Sequence, residues 1–273
     1  MIKKARESAL KIIGALAAAF GMFTAIPAPG FLYQLSRDKN NNKYILCAFP
    51  AVGLLIGLSW RVWILLNHWT GFPDILRGAG LCLLPLTITG GIHLDGYADT
   101  CDALASYASP ARRREILHDP RRGAFAIIKL CAYFIGYFAL CTAYDPESVP
   151  DSDPDICLIL LFIFSRCLSG TALLCFPLSS NQGMAYDLKS GADATAKKVI
   201  LLESALTGLL LCMTSGGCLM AVTALWDFRR ADRIARRDFG GWSGDLAGWF
   251  LQKAEFDMLA VWIFARYISN IFL

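Results

Sequence analysis

Charge is scarce in this chain. Asp, Glu, Lys and Arg make up 18% of its 273 residues, hydrophobic residues make up 56%, and the mean hydropathy is +0.47. Its length would allow one or two soluble domains, but the apolar residues are gathered into runs approaching the roughly 20 needed to cross a bilayer. The net charge of +4 is too small to indicate a nucleic-acid partner. Among the ten cysteines there is no Cys-x-x-Cys pair. Cys47, Cys82, Cys131, Cys157 and Cys212 sit in apolar runs and read as small buried hydrophobes rather than metal ligands or disulfide partners. No convincing cleavable leader is present. Residues 1–8 are basic and Ala17–Ala19 offer a small-residue cleavage site, but the segment runs on through Phe20 to Phe23 and to Pro27 and Pro29, unlike a cleaved leader.

These absences leave a polytopic, all-α membrane protein, a single integral membrane domain over residues 1–273. About six to eight hydrophobic helices are expected, some of them re-entrant or interfacial. The apolar runs are Ala9–Ile26, Tyr44–Leu66, Ile75–Ile92, Ala124–Tyr144, Ile156–Leu178, Val199–Trp226 and Leu246–Leu273. The block from His93 to Gly123 holds five arginines and is expected on the cytoplasmic side, whereas residues 145–155 are acidic and lack any Lys or Arg. The same rule disfavours a single span over 199–226, because it would export the basic segment 229–245. A hairpin broken at Ser215-Gly216-Gly217 keeps that segment inside. Ala9–Ile26 then reads as interfacial or re-entrant. The expected location is the cell inner membrane, multi-pass, with the polar motifs facing the cytoplasm.

The most informative stretch is Gly90 to Leu104, Gly-Gly-Ile-His-Leu-Asp-Gly-Tyr-Ala-Asp-Thr-Cys-Asp-Ala-Leu. It carries Asp95, Asp99 and Asp102 and no basic residue. On a helix these three fall within an arc of roughly 60°. Like charges so placed destabilise a bare helix, whereas a solvated polar helix would mix in Lys or Arg. A hard divalent cation held by carboxylate oxygens accounts for the pattern. Glu255 and Asp257 lie inside the last apolar run, where acidic residues are costly and usually functional, and of the two only Glu255 is carried forward as a candidate. Arg166, in mid-run, is placed either to reach the site or to pair internally with Glu203.

The stretch Gly90-Gly-Ile-His-Leu-Asp-Gly-Tyr-Ala-Asp-Thr-Cys-Asp102 closely resembles the signature of the cobalamin synthase (adenosylcobinamide-GDP ribazoletransferase) family. Three further segments agree in order. His118-Asp-Pro-Arg-Arg-Gly-Ala-Phe125 is similar to the family's Lys-Asp-Ser-Arg-x-Gly-Ala-aromatic. Gly240-Gly-Trp-Ser-Gly-Asp-Leu-Ala-Gly248, with Glu255 beyond it, is similar to Gly-Gly-x-Thr-Gly-Asp-x-x-Gly…Glu. Phe23-Thr-Ala-Ile-Pro-Ala-Pro29 is similar to Phe-x-Thr-Arg-x-Pro-x-Pro. Ala25 stands in place of the usual Arg, Ala103 of Gly, Pro120 of Ser and Ser243 of Thr, and no phosphate role is carried to Ala25.

The resemblance implies a phosphotransferase that joins adenosylcobinamide-GDP to α-ribazole or its 5′-phosphate, releasing GMP. Such a transfer needs the diphosphate charge neutralised and a hydroxyl positioned, both of which Mg²⁺ serves. Asp95, Asp99 and Asp102 are accordingly the expected catalytic and Mg²⁺-binding residues. His93, Asp119, Arg121, Arg122, Gly123, Asp245 and Glu255 are the expected substrate contacts. Arg121 suits bidentate binding of phosphate oxygens, Arg112–Arg114 read as a basic loop serving topology, and His93 stays open as base, metal neighbour or cap. The expected partners are the two substrates and the lipid bilayer, leaving open a homo-oligomer or association with other corrinoid-pathway enzymes. Two other readings stand beside this one. A CDP-alcohol phosphatidyltransferase has a similar aspartate motif, but Asp99 follows Ala98 where that signature has Arg. A divalent-cation transporter would place its carboxylates at mid-depth within inverted repeats, and none is visible.

Overall fold

Gly53 and Gly57, one helical turn apart, let two apolar helices touch backbone to backbone. A Cβ at Gly57 would lie 2.7 Å from the Cα of Ile159, and one at Gly53 would collide with the carbonyl of Phe162. Small residues at this spacing are the usual device for close helix packing in lipid, where apolar burial alone gives helices no reason to associate. The helices concerned are α2 (Pro50–Thr70) and α7 (Pro154–Cys175). They form the centre of a computed structural model that describes residues 2–27, 30, 42–117, 119, 123–145 and 154–272. Trp60 stacks edge-on against Phe162 across the same contact, with ring centroids 4.9 Å apart.

The described residues are all-helical, apart from one bridge between Leu178 and Trp242. In chain order, α1 is Ile2–Phe23, and a turn at Ile45–Ala48 leads into α2. Then follow α3 (Asp74–Thr89), α4 (Ile92–Ala105), α5 (Pro110–Leu117) and α6 (Ala124–Ala143) before α7. After α7 come α8 (Met184–Gly191), α9 (Ala194–Cys212), α10 (Gly217–Ile234) and α11 (Gly244–Phe272). Residues 235–239 add one π-helical turn to the end of α10.

Three segments are long and apolar enough to cross a membrane: Ile45–Thr70, Ala124–Ala143 and Ile156–Cys175. A fourth is added if α3 and α4, bent by 96° where they meet, count as one broken span. The number falls below the six to eight expected because several apolar runs fold otherwise. The run at 199–226 is the expected hairpin, with α9 ending at Cys212 and α10 starting at Gly217. Its turn uses Gly216 at φ 79° and is fastened by the Trp262 indole N–H, which donates to the Ser215 carbonyl at 3.0 Å. The last run becomes α11, whose Phe250, Leu251, Ala254, Met258 and Leu259 are fully buried within the bundle.

Arg77, the charge inside the third apolar run, has its own partners. Its guanidinium donates to Asp74 and to the Tyr144 carbonyl, both at 2.6 Å, and so fastens the start of α3 to the end of α6. All ten cysteines are free thiols, but Cys131, Cys175, Cys212 and Cys218 are exposed on the helices rather than buried as expected.

Candidate active site

The bend between α3 and α4 is made by two consecutive left-handed residues, Gly90 at φ 63° and Gly91 at φ 81°, a conformation that a side chain would strain. It turns the aspartate stretch out of the line of α3, so that Asp95-Gly96 is helical rather than a turn. α4 then crosses the start of α11 at very short range. A Cβ at Gly96 would lie 2.7 Å from both the Cα and the carbonyl oxygen of Asp245, and one at Gly248 would lie 3.0 Å from the His93 carbonyl oxygen. The two glycines therefore set the separation of the helices. The backbone of Asp245 rests on α4 at Gly96, between Asp95 and Asp99.

The start of α11 is held from the other side as well. The Ser243 hydroxyl accepts the Leu246 N–H at 3.1 Å as a helix N-cap. Trp242 N–H donates to the Pro177 carbonyl at 2.8 Å, Ser179 N–H donates to the Trp242 carbonyl at 2.9 Å, and the Trp242 indole donates to Asp232 at 3.1 Å. Gly240 and Gly241, both at positive φ, allow this tight approach to Leu178. Arg113 pairs with Asp238 at 2.9 Å and so ties α5 to the π-helical turn, whereas Arg112 pairs with Glu115 at 2.6 Å within α5, and the segment expected as a basic loop is helical.

The expected site residues divide into three groups. Asp95 is exposed, Asp99 is half-buried, and both flank the crossing at Asp245. Asp102 lies farther along α4, where its Oδ1 accepts the Ala126 N–H at 3.3 Å at the first turn of α6. There it meets the positive end of the α6 dipole, and Gly123 leaves room for its carboxylate. Asp119 follows α5, while Arg121 and Arg122 lie outside the described residues. Glu255 sits apart from the aspartates. It forms an ion pair with Arg166, each side chain 1% exposed, and also accepts the Ser165 hydroxyl at 2.8 Å. The internal partner of Arg166 is therefore Glu255 and not Glu203.

Two cavities adjoin α4. A cavity of about 310 Å³ has Asp95, Asp245, Phe23, Phe49 and His93 among its lining residues. A larger one, about 810 Å³, opens between α6 and α11 and is lined by Tyr97, Tyr133 and Trp249 with Lys129, Arg230 and Lys253. Sequence reasoning missed Phe49, Ser179, Ser180 and Gln182 in the smaller cavity. They belong to turns with no motif of their own, and only folding brings them to the aspartates. Next in sequence to Leu188, which lines the smaller cavity, Lys189 of α8 donates to the Phe176 carbonyl, and burial, followed by the neighbouring Lys197, lowers its pKa.

Among the described residues no group of three or more His, Cys, Asp or Glu side chains is placed to hold a metal by itself. The carboxylates at the crossing still suit Mg²⁺ chemically. This ion takes hard oxygen donors, commonly one or two carboxylates, and completes its shell with waters and substrate phosphates.

Residues 15–263 match the family described as cobalamin-5-phosphate synthase. The chain belongs to this family. It is 36% identical over 249 residues to an adenosylcobinamide-GDP ribazoletransferase of Lachnoclostridium phytofermentans, covering 90% of this chain and 92% of that protein. Proteins of the same name from Stutzerimonas stutzeri and Azorhizobium caulinodans are 32% and 29% identical, covering 77% and 94% of this chain and 82% and 98% of their own lengths. No solved structure matches. Two departures from the cobalamin synthase pattern now have a physical reading. Ser243 keeps the hydroxyl that a Thr would use to cap α11. Ala25 packs on the bend, its N–H donating to the Ile88 carbonyl at 2.8 Å and its methyl 3.0 Å from where a Gly90 Cβ would stand.

Proposed function

We propose that this chain transfers the adenosylcobinamide phosphate group from adenosylcobinamide-GDP to α-ribazole or its 5′-phosphate, releasing GMP. The observation that carries this reading is the family match over residues 15–263, within which the bent Gly90-Gly91 motif and the Gly240–Gly248 motif meet at one helix crossing. In the reaction a ribose hydroxyl oxygen of the acceptor attacks the phosphorus joined to cobinamide. The P–O bond to the bridging oxygen breaks, GMP leaves with that oxygen, and the hydroxyl proton passes to a carboxylate or to water. In this reading Asp95, Asp99 and Asp245 would hold Mg²⁺ and orient that hydroxyl. Mg²⁺, when bound, neutralises the diphosphate charge.

Asp102 supports the site from the side, by fixing the first turn of α6 against α4. The polar motifs face the cytoplasm in this reading, because the arginine-rich 93–123 block and the basic end of α10 lie on the side that the charge rule assigns there. A nucleoside diphosphate would reach the site from that side. The test is GMP release from adenosylcobinamide-GDP by membranes containing the protein, with α-ribazole present, and its loss when a chelator removes Mg²⁺. The phosphatidyltransferase reading predicts CMP release from a CDP-alcohol instead, and no residue or family match favours it.

A further inference from the structure

The smaller cavity differs from the larger one in what lines it. Among the described residues no Lys or Arg lines it, although the Arg166 guanidinium lies 5.8 Å from the Phe49 ring centroid, whereas the larger cavity has Lys129, Arg230 and Lys253 together with Asp257. In the smaller cavity the Asp95 and Asp245 carboxylates can accept a hydrogen bond from a hydroxyl. Its volume of about 310 Å³ lies at the lower end of the roughly 300–1,000 Å³ usual for small-molecule sites, which admits one nucleoside and excludes a macrocycle joined to a dinucleotide. Its lining is also aromatic. The His93 ring lies 5.5 Å from the Phe49 ring and 6.2 Å from that of Phe23, centroid to centroid. His93 is 6% exposed, and its Nδ1 is buried without a hydrogen-bond partner. A buried polar atom left so is costly, and the cost is relieved when a ligand supplies the partner.

We propose that this cavity is the acceptor site: it takes a neutral aromatic nucleoside, with the heterocycle against Phe23, Phe49 and His93 and a ribose hydroxyl toward Asp95 and Asp245. The assignment rests on the reaction proposed above and adds which substrate enters where. The acceptor sits in this cavity beside α4, and the bulky donor approaches from outside it. His93 positions the base through Nδ1.

The experiment uses the full chain reconstituted in lipid nanodiscs, with two measurements on each variant. One is steady-state GMP release with α-ribazole and adenosylcobinamide-GDP varied in turn, and the other is equilibrium binding of α-ribazole alone. His93→Phe keeps the ring and removes the nitrogen, and Gln182→Trp narrows the cavity from an exposed position in its lining. Both are expected to raise the acceptor KM and Kd, His93→Phe by about tenfold, the usual effect of one lost hydrogen bond. The donor KM should stay within about twofold of wild type by the same reasoning. A raised donor KM with an unchanged acceptor KM would reverse the assignment. Unchanged KM and Kd for both variants would remove the cavity from substrate binding. If the wild type binds α-ribazole, and loses it in both variants, without releasing GMP, the pocket stands and the reaction fails.

Discussion

Replacing Gly96 by alanine puts a methyl carbon 2.7 Å from the Cα and carbonyl oxygen of Asp245. Non-bonded carbons rest at about 3.5–4.0 Å, so α4 and α11 must separate by roughly 1 Å. The obstructing atoms are backbone, so no side-chain rotation relieves the clash. Overpacking of this kind costs about 1–3 kcal/mol, and the gain in helix propensity on going from Gly to Ala, about 1 kcal/mol, offsets part of it. Thermal stability should therefore change little. Activity should change much more, because the separation carries Asp245 away from Asp95 and Asp99, and a 1 Å misplacement of reacting groups costs about a hundredfold. The assay is kcat for GMP release beside the melting temperature in detergent. Gly248→Ala serves as the graded control, since its methyl would meet the His93 carbonyl oxygen at 3.0 Å and needs a smaller shift. Wild-type kcat in Gly96→Ala would refute the view that this crossing sets the site.

Asp95→Asn and Asp99→Asn are each expected to insert normally and lose nearly all turnover, measured as GMP release per inserted protein; retained activity in both would overturn their metal assignment. Glu255→Gln leaves the Arg166 charge buried without its partner, which costs about 3–5 kcal/mol, so the melting temperature should fall sharply, while Arg166→Met with Glu255→Gln should recover part of the loss. Asp193, the N-cap of α9, accepts the Ala196 N–H at 2.9 Å, and that bond holds its pKa below the ordinary carboxylate value. Its contribution is thus complete above about pH 4 and is lost as pH falls through the lower folded value. Asp193→Asn should flatten this acid limb of a melting curve measured from pH 6 to 3, and an unchanged limb would assign the acid sensitivity to other carboxylates.

The sequence conveyed the chemistry of the site better than its architecture. Asp95 and Asp99 were legible because three like charges with no cation among them are uneconomical on any ordinary helix. The hairpin break at Gly216-Gly217 was legible because glycines interrupt an apolar run and the basic segment beyond it must return. The span count was not, since a run such as α11 is apolar overall yet carries Lys253, Glu255 and Asp257 in a first half largely buried among other helices, while Phe264, Tyr267 and Ile268 near its end are exposed. Asp102 shows a different limit. Its periodicity matches that of Asp95 and Asp99, but it meets the first turn of α6 because α4 runs past that helix end, a tertiary fact with no local signal. The Arg166–Glu255 pair joins residues 89 apart, and a buried charge by itself does not name its partner. Arg121 and Arg122 remain assigned to the diphosphate on their motif alone.

The account's central claim is the transfer itself. Proteoliposomes carrying the wild-type chain, given adenosylcobinamide-GDP, α-ribazole and Mg²⁺, should release one GMP for each cobalamin formed, and adding EDTA should stop both. Absence of Mg²⁺-dependent GMP under those conditions would contradict the account.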